Sequence, residues 1–434
     1  CADGLAGVFC LLCANGTSAY YVEATDDQQA QCMDCGSSLP VTIGILLAAL
    51  LAAAGAAALI PQLYTKVASP PARAYLAEIW ELWNLSTKGK LIIGFYMIAT
   101  KVGPVYNVVM PLPLVALFET LSVAISLGFL QLSSTPLVCA GLGGQRSRLI
   151  FWFLFPLSIC SLIFLFYLGR QIVGKSRVSF SQIFYNALPA MLRVLFLVYP
   201  IVNTVAFQSF PFYSLGCTVD YDTNGLSNCS EFYLKVDVTV ETSDDEYASI
   251  CSWAWASIVV YPIWLPVMNS IFLFVSRKSI SGELPHTPLS RAITFLYKDF
   301  HSRAFWWEIM EMLRRFFLVG IFGIVWPDTI PQLIIATLYS IIYLILQMQV
   351  QPYKTPADNF LAAVSSGAIL TLFFIASASK AASLLDIEMV FEFLSPTLRE
   401  VYTIPEVTVT FITFIAAVLV FVLMAAIVVQ QTHA

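Results

Sequence analysis

Long apolar segments recur along almost the whole chain, each about as long as a bilayer is thick. A soluble fold has no interior large enough to take them all. Crossing the hydrocarbon takes about 20 apolar residues. Nine segments qualify, roughly 40–62, 90–110, 149–169, 183–207, 252–275, 312–327, 330–350, 359–379 and 406–430. The stretch 112–135 is apolar too, but it carries Glu119, follows Met110-Pro111 and has Pro113 near its start. It reads as an interfacial or re-entrant helix, because counting it as a span spoils the charge balance below. Only 11% of the residues are charged and 59% are hydrophobic, against roughly 25% charged in soluble domains. Most of the surface must therefore face lipid.

Basic residues in short loops set the orientation. With the N-terminus outside, the inside segments are 63–89, 170–182, 276–311 and 351–358. Together with Lys90 and the Arg314–Arg315 pair they hold 15 of the 22 Lys and Arg. The outside segments hold Arg146, Arg148, Lys235, Lys380 and Arg399, while Lys101 and Arg193 lie within spans. The C-terminus then falls inside. The sequons Asn15-Gly-Thr and Asn228-Cys-Ser land outside as glycosylation sites, whereas Asn84-Leu-Ser lands inside and reads as chance. The expected fold is an all-α polytopic membrane protein of about nine transmembrane helices with a small disulfide-rich extracellular N-terminal segment. That segment is residues 1–39, the bundle is 40–434, and 208–251 forms an extracellular loop. The chain starts at Cys1 without an initiator Met, so it is expected to be the C-terminal part of a longer precursor.

Cys1, Gly4, Gly7 and Cys10 form C-x-x-G-x-x-G-x-x-C, which resembles the ending of an EGF-like module and pairs Cys1 with Cys10. Cys10-x2-Cys13 and Cys32-x2-Cys35 also have the spacing of a zinc ribbon. An oxidising extracellular location favours disulfides, but the pairing of Cys13, Cys32 and Cys35 stays open. Cys139, Cys217, Cys229 and Cys251 are outside as well, and nine extracellular cysteines cannot all pair with one another. Cys160 is mid-span and reads as a small packing residue.

Charges inside spans are costly and need a reason, about 3 kcal/mol each on insertion scales. Lys101, Glu119 and Arg193 are the candidates, joined by the polar Asn203 and Asn269. They mark either a hydrated pathway or a structural arrangement such as a Lys101–Glu119 pair or snorkelling. At the inner face, Phe305 to Arg315 combines aromatic residues with Glu308, Glu311, Arg314 and Arg315, and Glu311 to Arg315 is an i,i+4 pair. A gating linker has this pattern, and so does an amphipathic helix lying on the membrane surface, the reading favoured here.

The three histidines, His286, His301 and His433, sit at unrelated positions, and no metal-ligand cluster, P-loop, GxSxG or catalytic Cys/His pair appears. An enzyme is not expected. No basic run suits nucleic acid, and the net charge is only −5. The acids Asp220, Asp222 and Asp237, or Asp244, Asp245 and Glu246, offer calcium sites without an EF-hand pattern, a solvated loop being the alternative. Apart from such Ca2+ and lipids, no cofactor is implied.

Several segments together resemble one family. Lys88-Gly-Lys-Leu-Ile-Ile-Gly-Phe-Tyr-Met-Ile, Val105-Tyr-Asn-Val-Val-Met-Pro111 and Cys139 are similar to a recurring block in large surface proteins of algae and other protists. So are Val198-Tyr199-Pro200, Tyr261-Pro262 with Pro266, the block Glu308, Glu311, Arg314-Arg315, then Gln332, Gln351-Pro352-Tyr353 and Asp358-Asn359. Met97, Trp264 and Glu241 depart from that pattern. Such proteins carry EGF-like or Cys-rich repeats followed by a multi-pass module described as transient-receptor-potential-like. The resemblance implies a cation channel of the plasma membrane or flagellar membrane. The spans around the acidic loop 380–405 would then form the pore, with Asp386, Glu388, Glu392 and Glu400 at its mouth. Two other classes stand beside it: a membrane anchor for a large extracellular assembly such as a cell-surface or flagellar hair, and a surface receptor or transporter. Expected partners are the lipid bilayer, an extracellular assembly or the chain's own missing ectodomain, and further copies in a homo-oligomer.

Overall fold

The N-terminal segment is built from short hairpins because alternating Tyr, Val and Cys residues bounded by Gly, Asn and Asp suit strands and turns. Strands β1 (Leu5–Ala6) and β2 (Leu12–Cys13) pair antiparallel, as do β3 (Ala19–Val22) and β4 (Gln31–Asp34). A disulfide between Cys13 and Cys32 ties the two hairpins together, and Cys10 and Cys35 are also disulfide-bonded. Cys1, the expected partner of Cys10, lies outside the described residues. The structure, a computed structural model of the chain, describes residues 4–7, 10, 12–14, 19–22, 29–35, 85–108, 110, 114, 116–118, 144–173, 179–215, 218–220, 225–227, 231–382 and 406–433.

Helix dominates the rest. The long elements are α1 (Leu85–Tyr106), α2 (Gln145–Val173) and α3 (Phe180–Phe207). Four more strands follow: β5 (Phe212–Leu215), β6 (Thr218–Asp220), β7 (Gly225–Ser227) and β8 (Glu231–Leu234), with β5 pairing β8 and β6 pairing β7. Then come α4 (Asp245–Ile258) and α5 (Trp264–Ile280), joined without a break by a π-helical turn at Val259–Ile263. Pro262 sits in that turn. Proline lacks the N–H that an α-helix needs and clashes with the preceding turn, and the wider π register accommodates both defects.

Short helices α6 (Pro288–Ala292) and α7 (Thr294–Tyr297) lead to α8 (Trp307–Arg315), a second π turn at Phe316–Ile321 and α9 (Phe322–Ile324). The chain continues through α10 (Ile330–Val350), α11 (Pro356–Ala382) and α12 (Glu406–His433).

Among the described residues five stretches are long and apolar enough to cross a membrane, Gln145–Ile172, Phe180–Phe207, Asp245–Ile280, Ile330–Val350 and Pro356–Ala381, so the expected nine are not confirmed. The predicted 90–110 coincides with α1, but α1 carries Lys88, Lys90 and Lys101. The predicted 312–327 falls on the π turn and α9, next to the charges of α8. In α12 the apolar helix is the shorter Phe411–Ile427. The predicted 40–62 and most of 112–135 lie outside the described residues. Large apolar side chains stand outward on these helices, among them Leu162, Leu165 and Phe166 on α2 and Leu338, Ile342 and Met348 on α10. So much exposed apolar surface suits lipid tails and not water.

Two cores organise the bundle. One joins α2, α3 and α4 through Trp152, Val202, Ala206, Ile250 and Ile258. The other joins α1, α10, α11 and α12 through Tyr96, Leu333, Phe373 and Val420, and it also takes Trp307 and Leu318. The α8–π segment is the seam, because Met312 packs instead with Tyr199 of α3 and Leu265 of α5. Its close approach to α3 depends on Gly320, where an added Cβ would lie 2.5 Å from the Phe207 ring.

At one end of the bundle, that of the β5–β8 hairpins, polar contacts lock the helix ends. The Gln145 backbone N–H donates to Asp237 (2.8 Å), and its side-chain amide donates to the Val205 carbonyl (2.8 Å) and the Ser209 hydroxyl (2.8 Å). Lys380 Nζ donates to the Tyr106 carbonyl at 2.8 Å, satisfying the C-terminus of α1. Lys235 pairs with Asp328.

A buried charge clamp as the candidate functional site

At the opposite end, segments far apart in sequence bring eight ionisable side chains together. Lys88 and Lys90 come from the first two turns of α1, Asp299 follows α7, Glu308, Glu311, Arg314 and Arg315 lie on α8, and Asp358 lies in the first turn of α11. Four cations face four carboxylates, so the formal charges cancel. All are buried except Lys90, whose side chain is 14% exposed. Neutral pairing is what permits burial, since an uncompensated ion in this interior would cost several kcal/mol.

Each group has a specific place. Lys90 Nζ donates to Asp299 Oδ2 (2.7 Å) and to the Phe295 carbonyl (2.5 Å), sits 3.8 Å above the Phe295 ring centroid, and lies 3.8 Å from Glu308 Oε2. Thr87 donates to the other oxygen of Asp299 at 2.9 Å. Lys88 meets Asp358 at 3.3 Å. The loop carrying Asp299 is held by an isolated bridge between Phe300 and Tyr353, with His301 N–H donating to the Pro352 carbonyl (2.8 Å) and Lys354 N–H to the Asp299 carbonyl (3.2 Å). Asn359 fixes the same turn from below, exchanging hydrogen bonds with the Tyr353 backbone at 3.0 and 2.8 Å.

Two expectations about α8 are corrected. Its charged residues do not form a polar face open to solvent: Glu308, Glu311, Arg314 and Arg315 are all buried. The polar face of the helix meets ions from other segments in place of water. Nor does Glu311 pair with Arg315. The bridge runs from Glu311 to Arg314 (3.7 Å), and Tyr343 of α10 donates to Glu311 at 2.7 Å. The Arg314 guanidinium stacks on the Tyr343 ring at 4.3 Å, while Arg315 turns the other way, onto the Phe196 ring of α3 at 4.7 Å. Successive arginines thus reach different helices, Arg314 towards α10 and Arg315 towards α3. Two small cavities flank Arg315, of about 20 and 10 Å³, each with room for about one water. Arg315 Nε and Nη1 and Glu308 Oε1, which line them, have no protein hydrogen-bond partner.

The remaining predicted site residues scatter. Lys101 is half-buried within Coulombic reach of Arg148, itself near Asp237, while Glu119, its expected partner, lies outside the described residues. Arg193 is exposed on α3. Asn203 approaches the Tyr199 hydroxyl, and the Asn269 amide points at the Met312 sulfur at 3.5 Å, so both asparagines serve the seam. Cys251, expected in a disulfide, is a free thiol like Cys160. It stands inside helix α4, four residues after Tyr247, and so belongs to a helix and not to the loop.

Asp237 is turned inward to Gln145 and Thr239. Among the described residues no three His, Cys, Asp or Glu side chains are grouped to hold a metal. Asn15, Asn228, Cys139, Cys217, Cys229 and Asp222 lie outside the described residues, as do the acids Asp386, Glu388, Glu392 and Glu400. Sequence reading alone did not join Asp299, Tyr343 and Tyr353 to the clamp. The signal available was their place in, or next to, the segments assigned to the inner face. Compared with family models, curated protein sequences and solved structures, the chain matches none.

Proposed function

We propose that the chain is a non-enzymatic, transient-receptor-potential-like cation channel subunit of the cell surface, spanning the membrane about nine times, with its N-terminus outside and its C-terminus inside. The observation that carries this reading is the neutral charge clamp at the seam between two apolar cores. Apolar packing is enough for a passive anchor, and a buried, paired set of charges is costly to keep where it adds nothing. Arg314 stacks on α10 and Arg315 on α3, π turns interrupt two of the helices, and free volume flanks Arg315. These are the parts of an element with more than one arrangement.

In this reading the clamp faces the cytoplasm and shifts when the pore opens, while Asp386, Glu388, Glu392 and Glu400 ring the outer mouth and concentrate cations. Neutralising the four acids together should lower single-channel cation conductance in reconstituted bilayers without moving open probability. Unchanged conductance would remove them from the pore mouth. Orientation is checked separately by peptide mapping, with N-glycans expected on Asn15 and Asn228 and a bare Asn84. A second reading, an anchor for an extracellular assembly such as a flagellar hair, is favoured by the disulfide-tied N-terminal hairpins. It predicts a chain that passes no current and co-purifies with a filament.

A further inference from the structure

Eight consecutive residues, Ser281 to Pro288, stand exposed between α5 and α6. The loop ends on Thr287-Pro288. Proline removes a backbone N–H and holds the residue before it away from the helical conformation, and Thr287 is extended, with φ −74° and ψ 160°. Its backbone is fixed on both sides. The Thr287 N–H donates to the Ser279 hydroxyl at 3.4 Å, and its carbonyl accepts from the Arg291 N–H at 3.1 Å. An exposed threonine hydroxyl, in an extended backbone and followed by proline, is the form in which a proline-directed protein kinase meets its substrate.

A second observation lies beside it. The residues on either side of Thr287 line an open cavity of about 380 Å³, His286 just before it and Arg291 one helical turn after it, together with Lys298 and Lys354. No carboxylate is among the lining residues. The nearest acid in sequence to Lys298, Asp299, has its side chain committed to Lys90 and Thr87. Among the described residues none of Arg291, Lys298 and Lys354 forms an ion pair. Residues four apart are neighbours on one helical face, so a group carried on the Thr287 hydroxyl stands next to the Arg291 guanidinium. Arginine supplies a planar fork for phosphate oxygens, and the lysines supply point charges.

We propose that Thr287 is a phosphorylation site and that its own phosphate docks on Arg291, Lys298 and Lys354. The γ-phosphoryl group of a nucleoside triphosphate passes to Thr287 Oγ1. A new P–O bond forms there, the bond to the β-phosphate oxygen breaks, the hydroxyl proton goes to the kinase's base, and a nucleoside diphosphate leaves. The phosphate brings about two negative charges to three cations that have no acid to meet. Docking also reaches the clamp. Lys298 directly precedes Asp299, and the Lys354 N–H donates to the Asp299 carbonyl at 3.2 Å, so a phosphate held by both lysines pins the loop that delivers Asp299 to Lys90. Access by a cytoplasmic kinase rests on the proposed orientation, whereas the capacity of the folded loop to take and hold a phosphate does not.

The test uses the full chain purified in detergent, where neither orientation nor conduction plays a part. It is incubated with a purified proline-directed protein kinase and ATP, the phosphate is located by peptide mapping, and thermal unfolding is followed before and after. A synthetic peptide of residues 279–293 serves as the unfolded comparator. Phosphate is expected on Thr287, absent from T287V, and incorporated at least about tenfold more slowly in P288A, the effect of one lost apolar recognition contact. The phosphorylated wild type should unfold about 2–4 °C above the unmodified chain, while R291Q/K298Q/K354Q takes up phosphate without that rise. Phosphate on the peptide but not on Thr287 of the folded chain, or on neither, would overturn the assignment. So would a midpoint that stays put in the wild type or rises equally in the triple variant. If R291Q/K298Q/K354Q unfolds early before modification, the single K354Q and R291Q variants, each expected to show a smaller rise than the wild type, decide the matter by the same comparison.

Discussion

Replacing Asp299 with alanine is expected to destabilise the bundle by about 3–5 kcal/mol, read from unfolding of the chain in detergent. Asp299 is buried and accepts two hydrogen bonds from α1, from Thr87 at 2.9 Å and from Lys90 at 2.7 Å. Without it the Lys90 ammonium keeps only a backbone carbonyl, the Phe295 ring and Glu308 at 3.8 Å. Most of the cost comes from that uncompensated charge and not from lost packing. Asp299→Asn keeps an acceptor for Thr87 while removing the charge, so it should cost less than alanine but still more than about 1 kcal/mol. If both substitutions are near-neutral, the Asp299–Lys90 contact does not hold α1 to the loop.

Lys88 and Asp358 form the deepest pair, with side-chain exposures of 0% and 1%. Lys88→Met should cost about 3–5 kcal/mol, because it strands a carboxylate in an apolar setting. The double substitution Lys88→Met with Asp358→Leu should recover most of that loss, since exchanging a whole buried pair for apolar side chains is often neutral or stabilising. The helix N-terminus at Asp358 limits the recovery by about 0.5 kcal/mol, the worth of an acid in the first turn. A double variant as unstable as the single one would show that the two residues are not energetically coupled.

Much of this architecture is legible in residue order. Among the described residues, the expected spans 149–169, 183–207, 252–275, 330–350 and 359–379 coincide with helices long and apolar enough to cross a membrane, because a run of about 20 apolar residues has few alternatives in lipid. The distribution of Lys and Arg places Lys90, Asp299, Glu308 and Tyr353 in or beside one set of loops, and the structure gathers them at one end of the bundle. The pairing within that end is not legible. Thr87 and Asp299 are 212 residues apart, and no local period links them. The i,i+4 spacing of Glu311 and Arg315 suggests a bridge, but tertiary context decides otherwise. Tyr343 of α10 draws Glu311 and Arg314 one way while Phe196 of α3 draws Arg315 another. Cys251 falls in a helix and not in the expected loop for a similar reason: the loop ends earlier than its composition suggests, and Asp245 and Glu246 are the acidic first turn of a helix.

Tyr343→Phe separates the gating account from a purely structural one. It removes the hydroxyl that donates to Glu311 at 2.7 Å while leaving the ring that stacks beneath Arg314. The measurement is single-channel recording of the full chain reconstituted in planar bilayers, wild type beside Tyr343→Phe. Cation current above the lipid background is expected from both, with equal unitary conductance and a gating equilibrium shifted by about tenfold or more in the variant, the effect of one hydrogen bond to a charged group. A wild-type chain that passes no current, or a variant with altered conductance and unchanged open probability, would contradict the claim that the charge clamp governs a channel.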